Sequence, residues 1–210
     1  MSTPKKIAVF VSGGGTNLQA LLDAEEAGMI PHGEIALVIS NKEGAYALER
    51  AKKHGVPGAV ITKKECGSQE AFEDALQAVL ERNGTDLIIL AGFLAILSER
   101  FTSKWPKRII NVHPSLIPSF CGEGFYGLHV HEKALEYGVK LSGATVHFVT
   151  EECDGGPIIA QKAVAIEEGD TPETLQKRIM EQAEWKLLPE AVSLFCQGRL
   201  SVEGRVVKIH

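Results

Sequence analysis

Ile7-Ala8-Val9-Phe10-Val11-Ser12-Gly13-Gly14-Gly15-Thr16-Asn17-Leu18 is the stretch that decides the fold. Its first five residues form a continuous apolar run, the pattern of a central strand buried on both faces. Glycines interrupt the run, and Leu18, Leu21 and Leu22 then recur at helical spacing. Strand, glycine loop and helix follow one another directly. The free N–H groups and dipole of such a helix start hold a phosphate without needing a lysine. Gly13, Gly14, Gly15, Thr16 and Asn17 are therefore candidate anion ligands, with Thr16 and Asn17 offering side-chain donors or a helix cap. A tight turn that needs glycine only for a positive φ is the competing reading. The dinucleotide fingerprint fails, because Leu18 stands where its third glycine belongs and Ser40-Asn41 where an acid belongs. The Walker pattern fails for want of GK[ST]. A sugar phosphate or mononucleotide-like group is the ligand class left.

Outward from that loop, apolar strands alternate with amphipathic helices. Strands are read at Glu34 to Ser40, Gly58 to Ile61 and Leu87 to Gly92, and helices at Ala45 to His54 and Ser68 to Arg82, with Ser68 as N-cap. A helix from Leu128 to Tyr137 ends at Gly138, and Thr171-Pro172-Glu173 opens the last long helix, which Pro189 is expected to kink or split. Ala144 to Val149 and Ile158 to Ile166 read as an antiparallel pair, and Leu200 to Ile209 as a hairpin turning at Glu203-Gly204. The prediction is an α/β fold: a doubly wound, mostly parallel sheet of about seven strands with an antiparallel extension and helices on both faces. Ligands of such a sheet gather beyond the carboxyl ends of its strands.

One of those ends is chemically loaded. In Ile109-Ile110-Asn111-Val112-His113-Pro114 an apolar strand closes with Asn111 and His113 on the same face. An amide donor and an imidazole aimed at one point suit chemistry at a carbonyl. Ser119 to Gly127 is glycine- and aromatic-rich and reads as a rim loop. Gly92 to Leu97 continues apolar past its strand, as core or as a slot for a flat heterocycle. His129, His131, His113 and Asp154 offer metal-ligand types, but residues i and i+2 of a helix start diverge, so no metal is expected. Cys153 reads as a small buried residue rather than a nucleophile.

A chain of 210 residues fits one domain, and 44% hydrophobic with 23% charged residues is ordinary for a globular protein. A net charge of −5 argues against a nucleic-acid platform. The four cysteines form no CxxC, no apolar run reaches a membrane span, and Met1 to Lys6 carries no leader pattern. The expected setting is cytoplasmic.

Ser12 to Asn17, Ala91-Gly92-Phe93, Asn111 to Pro118 and Cys153-Asp154-Gly155-Gly156-Pro157 stand in an order that closely resembles the phosphoribosylglycinamide formyltransferases of the formyltransferase superfamily. The likeness covers essentially the whole chain. It implies a single domain over residues 1–210 with the formyltransferase fold, its N-terminal half binding the ribonucleotide and its C-terminal half the folate. The implied reaction, in de novo purine biosynthesis, transfers the formyl group of the co-substrate 10-formyltetrahydrofolate to the glycine amine of glycinamide ribonucleotide. By the resemblance Asn111, His113 and Asp154 are the catalytic trio, with His147 supporting them. Gly13, Gly15, Thr16 and Asn17 hold the phosphate, and Glu184 takes the ribose or glycinamide part. Leu94, Ala95, Ile96 and Leu97 face Thr150, Glu151, Glu152 and Cys153 across an apolar folate cleft. Asp154 near His113 is expected to favour the imidazolium.

The resemblance also implies small-molecule partners alone, as monomer or homodimer, with no nucleic acid, membrane or metal. Ala95 departs from it where many members carry arginine, Gln69 lies near a position where some do, and the Ser119–Gly127 loop is longer than in the shorter-loop members. A formyltetrahydrofolate hydrolase is the alternative enzyme, although it is expected to carry an extra N-terminal domain. A methionyl-tRNA formyltransferase needs a basic tRNA-binding part, and a phosphate sensor would leave the trio idle.

Overall fold

A computed structural model describes residues 3–210. Met1 and Ser2, where the stretch read for a leader begins, lie outside the described residues. Strand β1 (Lys5–Val11) lies at the centre, and Ile7 to Val11 are all fully buried. It pairs in parallel with β2 (Gly33–Ser40) on one side and β4 (Leu87–Leu90) on the other. The short β3 (Gly58–Val60) extends β2, and β5 (Ile109–His113) extends β4, again in parallel. Beyond them β6 (Leu141–Phe148) and β7 (Ile158–Ala165) run antiparallel, as the sequence predicts.

Among the described residues the sheet has nine strands in the order β3-β2-β1-β4-β5-β6-β7-β9-β8, two more than the reading of about seven. The additional pair is the C-terminal hairpin, β8 (Leu200–Glu203) and β9 (Val206–Ile209). It joins the sheet through the parallel pair Ile158–Val206, and Arg205 Nη2 donates to the Gly155 carbonyl at 2.9 Å.

Successive β1 residues face opposite layers, as strand geometry requires. Ile7, Val9 and Val11 pack with residues of α1 (Thr16–Glu26), α2 (Tyr46–Lys53), α7 (Pro172–Ile179) and α8 (Trp185–Cys196). Ala8 and Phe10 pack with Phe72, Leu76 and Leu80 of α4 (Gln69–Asn83) and Phe101 of α5 (Glu99–Thr102). The single turn α3 (Lys63–Cys66) precedes α4, and α6 (Leu128–Tyr137) packs on α7. Ser68 Oγ accepts from Ala71 N at 3.0 Å, and Thr171 forms a capping box with Thr174, so both N-caps lie where the sequence puts them.

The last helix does divide, but not at Pro189. A π-helical turn, Met180–Glu184, separates α7 from α8, and Pro189 sits buried inside α8. The interruption falls where a side chain must reach the glycine loop.

The strand order reverses between β1 and β4, because β1 to β3 build one way and β4 to β5 the other. Such a switch point opens a crevice at the carboxyl ends of the strands. Ser12 leaves β1 there, Ala91 leaves β4, and His113 ends the adjacent β5. Among the described residues no helix is long and apolar enough to cross a membrane.

Candidate active site

Asn111 pairs with His147 across β5 and β6, and the β6–β7 register shifts between Val146 and His147. An irregularity of this kind re-aims the side chain beside it. Here it accompanies a direct contact: Asn111 Nδ2 lies 3.1 Å from His147 Nε2 and 3.4 Å from Asp154 Oδ1. Asp154 arrives on the turn between β6 and β7 with φ of 54°, a left-handed backbone for a non-glycine residue. Its Oδ2 lies 3.4 Å from His113 Nδ1 and accepts from Gly122 N–H at 3.0 Å. The sequence-predicted trio and His147 therefore form one cluster, with His113 and His147 buried.

Hydrogen-bond geometry assigns the working atoms. His113 Nε2 is 2.9 Å from the Phe120 carbonyl, which can only accept, so Nε2 carries a proton and Nδ1 faces Asp154. His147 Nδ1 is 2.9 Å from the Phe148 carbonyl, so its Nε2 is free to accept from Asn111. The Ser119–Gly127 loop is thus more than a rim: Phe120, at φ of 50°, orients His113, and Gly122 orients Asp154.

Asp154 does favour the imidazolium of His113, as expected, but burial outweighs it. Desolvation pushes the imidazole below its ordinary value, outweighing the opposing pull of Asp154 and the Phe120 carbonyl. Burial also acts to raise Asp154, but the neighbouring His147 and His113 imidazoles and the Gly122 N–H together hold the carboxyl below its usual range.

At the glycine loop, Gly15 is the N-cap of α1 with φ of 72°, and a Cβ there would crowd Ala47 Cβ at 2.6 Å. The turn requirement is therefore real at Gly15, whereas Gly13 and Gly14 are exposed. Among the described residues no side chain caps the helix, and its first bond is Gln19 N to Gly15 O, so the N–H groups of residues 16–18 precede the ladder. Thr16 Oγ1 points at Met180 Sδ, 3.6 Å away. Asn17 Nδ2 donates to Glu184 Oε2 at 2.7 Å, which places Glu184 at this loop. The π-turn aims it there, and π-turns within helices recur at functional sites.

Glu184 is 6% exposed, and burial pushes its carboxyl up to about 7 against the Asn17 hydrogen bond. A folded value above the unfolded one stabilises the fold at low pH. That contribution is complete below 4.5 and is lost as pH rises through about 7. Glu184→Gln should remove this dependence. Urea unfolding at pH 5 and pH 8 should show the variant gaining on the wild type by up to about 3 kcal/mol at the higher pH.

Leu94, Ala95, Ile96 and Leu97 lie beyond β4 in a stretch without regular structure. Leu94 is 50% and Ile96 71% exposed, while Leu97 is buried and Phe93 packs on Phe10 at 5.1 Å between ring centroids. The slot and core readings thus divide by residue. Phe93, Ala95, Leu97 and Val149 share one apolar cluster, which brings this stretch to the strand that leads into Thr150. Glu151, Glu152 and Cys153 are exposed. Cys153 is not the small buried residue expected, because the turn projects outward to present Asp154; its thiol is pushed up to about 11 by partial burial and Asp154. His129 faces solvent beside Glu132, and His131 is fully buried, diverging as predicted.

A groove of about 780 Å³ between α1 and α8 meets the glycine loop at Thr16, beside Arg50 of α2, whose Nε donates to the Gly14 carbonyl at 2.8 Å. None of the trio lines it, and the chemistry follows the trio.

Two polar side chains escaped the sequence reading. Ser12 Oγ accepts from Leu94 N at 2.8 Å and donates to Asn41 Oδ1 at 2.6 Å, bridging the crevice. Glu73, 2% exposed, binds Ser98. Ser12 opens the glycine-loop motif without being singled out in it, Glu73 belongs to no motif, and Asn41 just past β2 was the one visible hint.

Residues 5–192 match the formyl transferase family. The chain is 43% identical over 202 residues to the phosphoribosylglycinamide formyltransferase of Haemophilus influenzae, covering 96% of this chain and 92% of that protein. It is 46% identical over 204 residues to the trifunctional purine biosynthetic protein adenosine-3 of Gallus gallus, covering 97% of this chain. The chain spans about a fifth of the length of such trifunctional relatives. Glycinamide ribonucleotide transformylase 1 from Symbiobacterium toebii has a crystal structure that superposes with a TM-score of 0.93 at 45% identity, covering 100% of this chain and 95% of that one.

Proposed function

The chain belongs to the formyl transferase family, and from that membership we propose that it transfers the formyl group of 10-formyltetrahydrofolate to the glycine amine of glycinamide ribonucleotide. The observation that carries the reading is the cluster of Asn111, His113 and Asp154 at a strand end beside an open helix N-terminus. The names of the 43% identical relative and of the 45% identical solved structure support the choice of acceptor.

The amine nitrogen attacks the formyl carbon and forms a C–N bond, placing negative charge on oxygen and an extra proton on nitrogen. Asn111 Nδ2 supplies a donor to that oxygen by releasing its long 3.4 Å contact with Asp154. With its Nε2 proton committed to Phe120, His113 has Nδ1 to offer; the developing oxyanion favours uptake of a solvent proton there, which returns to solvent as the oxyanion collapses. Asp154, held ionised, accepts the amine proton and passes it to the leaving folate nitrogen, directly or through water. Collapse of the oxyanion restores the carbonyl as the carbon–folate nitrogen bond breaks.

Gly13, Gly14, Gly15, Thr16 and Asn17 hold the phosphate, and Glu184 takes the ribose or glycinamide part. The donor packs along Leu94 to Leu97 and Thr150 to Cys153. We read residues 1–210 as one domain whose two halves meet at the site: Glu184 reaches back to Asn17, and Ala95 and Leu97 share a cluster with Val149. A cytoplasmic setting and small-molecule partners follow from this reading.

Tetrahydrofolate release measured with 10-formyltetrahydrofolate should require glycinamide ribonucleotide. Equal release without the amine would make the protein the hydrolase instead.

A further inference from the structure

Glu73 is a carboxylate in the wrong place for a surface helix. It sits on α4 at 2% exposure, and a charge buried to that degree is costly unless hydrogen-bonded. It is fully engaged. Oε1 accepts from Ser98 N and from Gln69 Nε2, both at 2.7 Å, and Oε2 accepts from Ser98 Oγ at 2.6 Å. Gln69 Nε2 also donates to the Ile96 carbonyl at 3.0 Å. These donors hold Glu73 ionised against burial.

All of these bonds converge on one segment. Residues 92–98 have no strand or helix to fix them, yet they carry the exposed Leu94 and Ile96 beside the site. Their near end is tied by Leu94 N to Ser12. Their far end is tied by Ser98 and Ile96 to Glu73 and Gln69. A helix packing against a sheet needs no buried carboxylate, and an apolar residue of similar size serves packing as well or better. What a carboxylate adds is a fixed point for several donors at once.

We propose that Glu73 is a positioning residue for the formyl donor: through Ser98 and Gln69 it fixes the Leu94–Leu97 rim against which the donor's flat ring packs. The proposal rests on the reading of this rim as the donor side of the site. It makes a specific claim about kinetics. Loosening the rim weakens donor binding, while the phosphate loop, the trio and the ribonucleotide are untouched.

The test is steady-state kinetics of Glu73→Gln with both substrates varied, together with calorimetric binding of 10-formyltetrahydrofolate alone. Glutamine keeps the size but turns one acceptor into a donor facing Ser98 or Gln69. The KM and Kd for the donor should rise about tenfold, in line with loss of a charge-assisted hydrogen bond. The KM for glycinamide ribonucleotide and kcat should stay within about twofold. Ser98→Ala, which removes one of the bonds and leaves the charge, should shift the donor KM in the same direction by about threefold and decides the matter if Glu73→Gln does not fold. Unchanged donor KM in both variants, or both KM values and kcat moving together, overturns the brace. A wild type that neither binds nor consumes the donor overturns the donor-side reading as well, so the two failures are distinct.

Discussion

Asp154→Asn is expected to lower kcat by about 10³-fold, the middle of the range for a lost acid–base group. The substitution is nearly isosteric, so the loss is one of charge and of hydrogen-bond sense. In the wild type the two carboxylate oxygens accept from Asn111 Nδ2 and Gly122 N–H and face His113 Nδ1. An amide offers one accepting oxygen, so one of those donors would meet an NH₂ group. It also cannot take up the amine proton. The KM for glycinamide ribonucleotide should change little, because the phosphate is held at the start of α1, where Asn17 and Glu184 are untouched. A kcat within tenfold of wild type, measured at saturating substrates, would remove Asp154 from the proton path.

The second large effect falls on stability. Gly156→Ala places a Cβ where the Phe148 carbonyl already sits, with Thr150 Cγ2 3.3 Å away. Neither neighbour is the free end of a flexible chain. Phe148 N donates to the Pro157 carbonyl at 2.9 Å, so the obstructed backbone is the start of the β6–β7 ladder. Overpacking of this kind costs roughly 3 kcal/mol or more when backbone must shift. Activity should fall as well, because Asp154 lies two residues upstream on the same turn. Urea denaturation of the purified variant measures the first effect, and kcat the second. An unfolding midpoint equal to wild type would mean that the turn yields more readily than its packing implies.

Much of the fold was legible because local signals agreed with tertiary need. The apolar run Ile7 to Val11, the caps Ser68 and Thr171 and the hairpin at Gly204 all stand where the sequence puts them. Asn111 and His113 were legible as a pair because strand alternation alone puts them on one face. Asp154 had to come from family resemblance, since nothing in its own neighbourhood says which strand end it will face. The remainder was illegible for physical reasons. Glu73 sits in Gln69-Glu70-Ala71-Phe72-Glu73-Asp74, where it looks like any solvated helix charge. The π-turn has no proline or glycine to announce it. The left-handed backbones of Phe120 and Asp154 are imposed by what they touch. The proton affinity of His113 is set by how dry its surroundings are, which a neighbouring acid in the sequence does not reveal.

The C-terminal hairpin has a consequence for how this fold can be carried. β9 ends where His210 N binds the carbonyl of Arg199, the residue before β8, at 2.9 Å. Lys5, the first residue of β1, lines one cavity with Leu200, the first residue of β8. The two described ends of the polypeptide therefore lie on the same part of the molecule. A domain whose ends lie together can be joined into a longer polypeptide without separating its own strands, a geometry compatible with the trifunctional relatives in which the matching region is about one-fifth of the polypeptide.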